Sequence, residues 1–232
     1  MGYRVPALVA FVLVLTGCFA GSSSNPSTRP AAQSAATPSS SLRPAELNGT
    51  LLDPPLPPPA QTLNDTAGRR FSIAASSRTE LTLLFFGYTH CPDVCPTTVQ
   101  DLAAARDLLA AELRDDVTVV FVTEDPERDT PATLRRWPDR FDPAIVGLIG
   151  GNSASRAMLK ELYLPETVRD PKPTQRVRHG SGHAHDEHGE YGVDHSGVVY
   201  AFAPQGWTVI YTGGTTATQY AADFTRLLTT TR

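Results

Sequence analysis

Two cysteines, Cys91 and Cys95, stand four residues apart in FFGYTHCPDVCPTTVQDL, where an apolar run gives way to a polar, proline-marked segment. At i and i+4 on a helical turn their sulfurs face the same way. A helix N-terminus there favours the thiolate, the form that attacks disulfides and ligates metals. Three chemistries are open to such a pair: a disulfide switch, a catalytic thiol with its resolving partner, or two arms of a metal site. Two thiolates are soft ligands suited to Cu(I), and an added imidazole serves Cu(I) and Cu(II) alike. Two sulfurs and one nitrogen leave an open edge, which suits a site that must pass its ion on. A structural zinc site closes four ligands, and no fourth is evident near the motif. A purely structural disulfide fits less well, because so local a bridge staples no distant segments.

The elements that must position this pair alternate between strand and helix. Residues 81–88, LTLLFFGY, are a continuous apolar run, as in a strand buried on both faces. The helix after it is expected to begin near Pro96, with an apolar stripe through Val99, Leu102, Ala103, Leu109, Ala110 and Leu113. Residues 117–125 read as a second buried strand, and Thr130 as the N-cap of a helix with Pro131 in its first turn. A short strand in AIVGLIG, residues 144–150, precedes a helix capped by Ser153. Residues 197–214 read as two strands around a Pro-Gln-Gly turn, and residues 217–228 as a closing helix. This order makes an α/β layered fold with helices on both sheet faces. Sites in such folds gather at the carboxyl ends of the strands, where Cys91 falls. The acidic stretch EDPERDTP, residues 124–131, suggests a carboxylate enzyme site. A tight turn explains it more simply, with Asp125 before Pro126 and Asp129 at a helix start.

The 232 residues, 41% of them hydrophobic, suffice for one well-cored domain with tails. A net charge of −4 with no long basic run argues against nucleic acid as a partner. Three cysteines are too few for a disulfide scaffold. The N-terminus reads as an address: Arg4 precedes an apolar run over residues 7–15, too short for a span of about 20 residues. Leu15-Thr16-Gly17-Cys18 resembles the lipobox of bacterial lipoproteins. That resemblance implies a signal peptide over residues 1–17, cleavage before Cys18 and lipidation of its sulfur. The alternative is an ordinary signal peptide in which Cys18 is a passenger. Several acyl chains hold a protein stably on a membrane, so the expected location is the extracytoplasmic face, lipid-anchored through Cys18. Residues 18–46, rich in Ser, Pro, Ala and Thr, read as a disordered tether. Residues 47–232 form the expected folded domain, with residues 53–60 (DPPLPPPA) as an extended segment laid on it.

Three stretches together carry a family resemblance: FGYTHCPDVCPTT at residues 86–98, EDPERDTPATL at 124–134 and VDHSGVVYAFAPQG at 193–206. They resemble, at the right distances, the Sco/SenC family of thioredoxin-like copper proteins, over roughly residue 49 to the C-terminus. The resemblance implies a thioredoxin-like fold, a central mixed sheet flanked by helices. It implies copper, as Cu(I) or Cu(II), bound by Cys91, Cys95 and His195. It also implies delivery of copper to the cytochrome c oxidase subunit carrying the binuclear copper centre; the chain itself is expected to be a monomer. The lipoprotein address suits bacterial members. Thioredoxin-type enzymes carry two residues between their cysteines and a cis-proline facing them from a later strand. Here three residues intervene, and His195 precedes the strand where that proline would be sought. Both departures favour a metal site.

Asp194 either orients His195 and tunes its basicity or is a turn residue. His90, beside Cys91, reads as structural, and Asp93, between the cysteines, as an exposed residue available to a partner. HGSGHAHDEHGE, residues 179–190, departs from the family pattern with His179, His183, His185 and His188 among three acids. It is either a second site for divalent metal or a solvated loop. Three functions remain: a copper metallochaperone docking on an oxidase subunit, a thiol-disulfide reductase for the cysteines of its copper site, or a redox sensor. Only the first needs His195.

Overall fold

The computed structural model describes residues 46–170, 192–194 and 196–230. The residues read as a signal segment and tether through residue 45, with Cys18 among them, the histidine-rich stretch 179–190 and His195 lie outside the described residues. In chain order the elements are β1 (Thr50–Leu51), β2 (Thr62–Asn64), β3 (Arg70–Ser72), α1 (Ile73–Ser76), β4 (Leu81–Gly87), α2 (Val94–Asp107), α3 (Ala111–Arg114), β5 (Val117–Thr123), α4 (Pro131–Arg136), β6 (Val146–Ile149), α5 (Ser153–Glu161), β7 (Val168–Asp170), β8 (Gly192–Asp194), β9 (Val199–Phe202), β10 (Thr208–Tyr211) and α6 (Ala217–Thr229). Six strands form the main sheet in the order β1-β10-β9-β4-β5-β6. β4, β5 and β6 are parallel, while β1, β10, β9 and β4 pair antiparallel, so the sheet is mixed.

Why β4 sits at the centre, between β9 and β5, follows from its composition. Every residue of β4 is buried, and the strand alternation sends Leu81, Leu83 and Phe85 to one face and Leu84 and Phe86 to the other. The first face packs on Val99 and Leu102 of α2 and on Phe224 and Leu227 of α6. The second packs on Met158 and Leu159 of α5, with Leu63 and Ile73. Full burial of each such side chain is worth about 1.5–3 kcal/mol. The loop that leaves β4 therefore starts from a fully buried strand.

Some boundaries differ from the sequence reading. α2 begins at Val94, two residues ahead of Pro96, so Cys95 lies inside the helix and Cys91 in the turn before it. It ends at Asp107, and Leu113 belongs to the separate turn α3. β5 stops at Thr123, leaving Glu124 and Asp125 to the acidic turn. The cap of α5 is Asn152, not Ser153: its side chain accepts from the N–H groups of Ala154 and Ser155, and Ser155 answers in a capping box. Thr130 caps α4 with Pro131 at its start, as read. The β9–β10 hairpin is also as read, with Phe202 opposite Thr208. Residues 53–60 lie on the domain: Leu56 packs against the second face and its carbonyl accepts from the Thr208 hydroxyl at 2.6 Å. β7 and β8 pair antiparallel, Val168 opposite Asp194, so the chain entering and leaving residues 171–191 runs side by side. Among the described residues, no helix is long and apolar enough to cross a membrane.

Candidate metal centre

Past Gly87 the chain turns through Tyr88, Thr89 and His90 to Cys91, whose N–H donates to the Tyr88 carbonyl at 3.2 Å. The Cys95 N–H donates to Cys91 Sγ at 3.3 Å. Asp93, at the N-cap position, makes no side-chain cap bond, so the Cys91 sulfur takes one of the orphan amides of the first turn of α2. The two cysteine side chains also hydrogen-bond to each other, and the Tyr88 backbone bonds the Cys95 sulfur. Both are thiols. Cys95 is fully buried, and Cys91 keeps 8% exposure, so Cys91 is the sulfur nearer solvent. A Cβ on Gly87 would stand 2.7 Å from Cys95 Sγ and 3.0 Å from the Phe121 ring, so only glycine leaves room for the sulfur here.

Burial pushes the Cys95 thiol far above its ordinary pKa, and the neighbouring Cys91 and Glu124 act in the same direction. The helix-stabilised thiolate expected from sequence therefore does not hold for Cys95. Loss of hydration outweighs the partial charge of the helix end, and Cys95 keeps its proton until a cation displaces it. The Tyr88 hydroxyl is raised as well, first by burial and then by Cys91.

The acidic turn after β5 reaches this site, which the sequence reading missed. The Thr89 N–H donates to Asp129 Oδ2 at 2.9 Å, the Thr89 hydroxyl donates to Oδ1, and the Thr123 hydroxyl donates to Oδ2 at 2.6 Å. His90 Nδ1 lies 3.4 Å from Asp129 Oδ1 and 3.2 Å from the Thr89 hydroxyl. Arg128 pairs with Asp125 and lies 5.6 Å from the centre of the Tyr88 ring. One signal was available: Thr130 already caps α4, so Asp129 had no local task. Glu124 is also buried; its N–H donates to the Gly87 carbonyl at 2.8 Å, and its carboxylate accepts from the Thr167 hydroxyl.

His195 lies outside the described residues, but its neighbours do not. The Val193 backbone bonds the Tyr88 hydroxyl, and its side chain joins the core cluster holding Tyr88, Cys91 and Cys95. Gly197 packs against Val94, its Cβ position 3.2 Å from Val94 Cγ1. Chain on either side of His195 thus touches the cysteine turn or the first turn of α2. Asp93 and Val94 are exposed at the rim, as read for Asp93. Among the described residues no group of three His, Cys, Asp or Glu gathers as a metal cage. The described part of the centre is the thiol pair.

The SCO1/SenC family model matches residues 59–229, a span that includes Cys91, Cys95 and His195. The chain belongs to the SCO1/SenC family. Among solved Sco structures, apo Sco1 from Thermus thermophilus is 30% identical with a TM-score of 0.60, over 78% of this chain and 97% of that one. Bradyrhizobium japonicum ScoI with copper bound is 30% identical with a TM-score of 0.57, over 72% of this chain and 96% of that one. The fold is accordingly the thioredoxin-like one of Sco proteins. The mitochondrial SCO1 homolog 1 of Arabidopsis thaliana is 36% identical over 124 residues, 53% of this chain and 33% of that protein. Across the curated relatives it matches, the matched region spans from a third to about half of the relative's length. The donor chemistry of the site fits copper: two buried thiols in contact offer the soft sulfur ligands that Cu(I) prefers.

Proposed function

We propose that this chain is a copper metallochaperone, holding copper through Cys91, Cys95 and His195 and assisting assembly of the binuclear copper centre of cytochrome c oxidase. In this reading it works from the extracytoplasmic face of the membrane, anchored through lipidated Cys18. The observation that carries the reading is the buried thiol pair at the carboxyl end of β4, with Val193 in its cluster on one side of His195 and Gly197 against Val94 of α2 on the other. The copper-bound state of the Bradyrhizobium japonicum relative supports it.

Copper is cargo here, so the site must let go as well as hold. Cys95, buried and backed by the Gly87 notch, is the fixed ligand. Cys91, nearer solvent and beside the exposed Asp93 and Val94, faces the side from which an acceptor's thiols approach. Binding displaces the proton of Cys95, and the nearby Glu124 charge that opposes a bare thiolate favours the incoming cation. Three ligands leave an edge open, so an acceptor ligand can attach before Cys91 is released.

A second reading uses the same contact between the two thiols: disulfide exchange with the copper-site cysteines of the oxidase. That attack needs a thiolate and an accessible disulfide, and no histidine ligand. The two readings separate in cells carrying His195→Ala as the only copy, at limiting copper. Copper delivery gives an oxidase deficit that added copper at least partly relieves. Normal oxidase activity, with the variant protein present, would replace delivery by thiol reduction. The anchor is tested by mass spectrometry of the mature N-terminus, where an unmodified Cys18 removes it.

A further inference from the structure

The geometry points to Asp129 as a positioning residue for copper: by gripping Thr89, its carboxylate sets where Cys91 stands against Cys95. This rests on the copper reading of the thiol pair. Gly87 is the last residue of β4 and Val94 the first of α2, so the six residues between them, 88–93, have no regular backbone pairing of their own. Cys91 sits in the middle of that turn. The turn is held by the Cys91 N–H on the Tyr88 carbonyl and by Asp129, which takes both the N–H and the hydroxyl of Thr89. His90 leans on the same carboxylate.

Asp129 is itself fixed to the sheet. Its Oδ2 accepts from the Thr123 hydroxyl, which in turn accepts from the Asp125 N–H at 3.0 Å, and its own N–H donates to the Asp125 carbonyl at 2.9 Å. Thr123 is the register partner of Gly87 at the ends of β5 and β4. The carboxylate therefore ties the cysteine turn back to the same carboxyl ends of β4 and β5 from which the turn departs, closing a loop. With 1% exposure, Asp129 has no water at hand to replace a lost bond. Loss of one acceptor frees the Thr89 amide, shifts the turn two residues ahead of Cys91, and moves its sulfur off the Cys95 N–H. Groups that orient a metal ligand through such contacts carry about 10–100-fold in metal affinity.

The test compares Asp129→Asn and Thr89→Val with the wild-type protein. Cu(I) affinity is read by competition with a chelator, and the thiolate-to-Cu(II) absorption is recorded, both well below each variant's thermal midpoint. Asp129→Asn is expected to lose about tenfold or more in Cu(I) affinity and to shift the absorption band. Thr89→Val, which keeps the amide bond and loses only the hydroxyl, is expected to move both in the same direction by less. A purely structural Asp129 lowers the midpoint and leaves the folded variant's band and affinity in place, and that result overturns the proposal. If Asp129→Asn fails to fold, Thr89→Val decides alone: a shifted band with weaker binding supports the proposal, and wild-type values overturn it. Cys91→Ser separates the two readings. Undiminished Cu(I) binding in that variant removes the copper site itself and the proposal with it.

Discussion

Asp129 and Asp223 are both buried carboxylates, 1% and 0% exposed, and each gathers donors from distant chain. Asp223, on α6, accepts from the Asn48 N–H and side-chain amide, each at 2.9 Å, from the Gly49 N–H at 3.0 Å and from the Tyr211 hydroxyl at 3.2 Å. Asp129 accepts from Thr89 and Thr123 and adjoins His90. The difference lies in where the donors belong. Those of Asp223 sit at the entry to β1 and on β10, so that carboxylate pins the first strand to the last helix. Those of Asp129 sit largely on an irregular turn that carries a thiol. A carboxylate sharing several hydrogen bonds rigidifies whatever it holds. Beside the last helix this stabilises the fold; over the cysteine turn it aims a side chain.

The thiol end has the largest expected effect on copper and the smallest on folding. Cys95→Ser keeps the branching but removes a soft ligand. Its loss of Cu(I) affinity should exceed the about 100-fold of a residue that only orients a ligand, with a thermal midpoint close to wild type. Competition titration and calorimetry check the two halves, and retained affinity would break the assignment of this end to metal.

Asp223→Ala should do the reverse. It strands buried donors and costs about 3 kcal/mol in urea unfolding, while Cu(I) affinity of the folded protein stays at the wild-type value. A copper defect here would erase the distinction between the two carboxylates.

The pH dependence sharpens the same contrast. Because the pKa of Cys95 is raised, the thiol stays protonated through the neutral range, and Cu(I) must displace that proton. Affinity should therefore fall by about tenfold per unit drop in pH for each proton displaced, and proton release on binding should be measurable in weakly buffered solution. Binding without proton release contradicts the buried-thiol description. The smallest effect is expected from Tyr211→Phe, which removes one donor to Asp223 and should cost about 1 kcal/mol without touching copper.

What could be read from the sequence was what depends on near neighbours along the chain. The apolar runs of β4 and β5, the Thr130 cap, the β9–β10 hairpin and the spacing of Cys91 and Cys95 are of this kind. Local ambiguity set the errors there. Asn152 and Ser153 are both good caps, and the choice fell to Asn152 because its backbone is extended, at φ −107° and ψ 179°. The membership of Asp129 in the cysteine site, 40 residues away from Thr89, could not be read locally. Nor could the need for glycine at position 87 or the protonated state of Cys95. Each of these depends on β4 lying beside β5 with Gly87 against Thr123. That pairing brings the acidic turn over the cysteine turn and shuts out water, so hydration and long-range hydrogen bonds, which no local pattern encodes, decide the chemistry there.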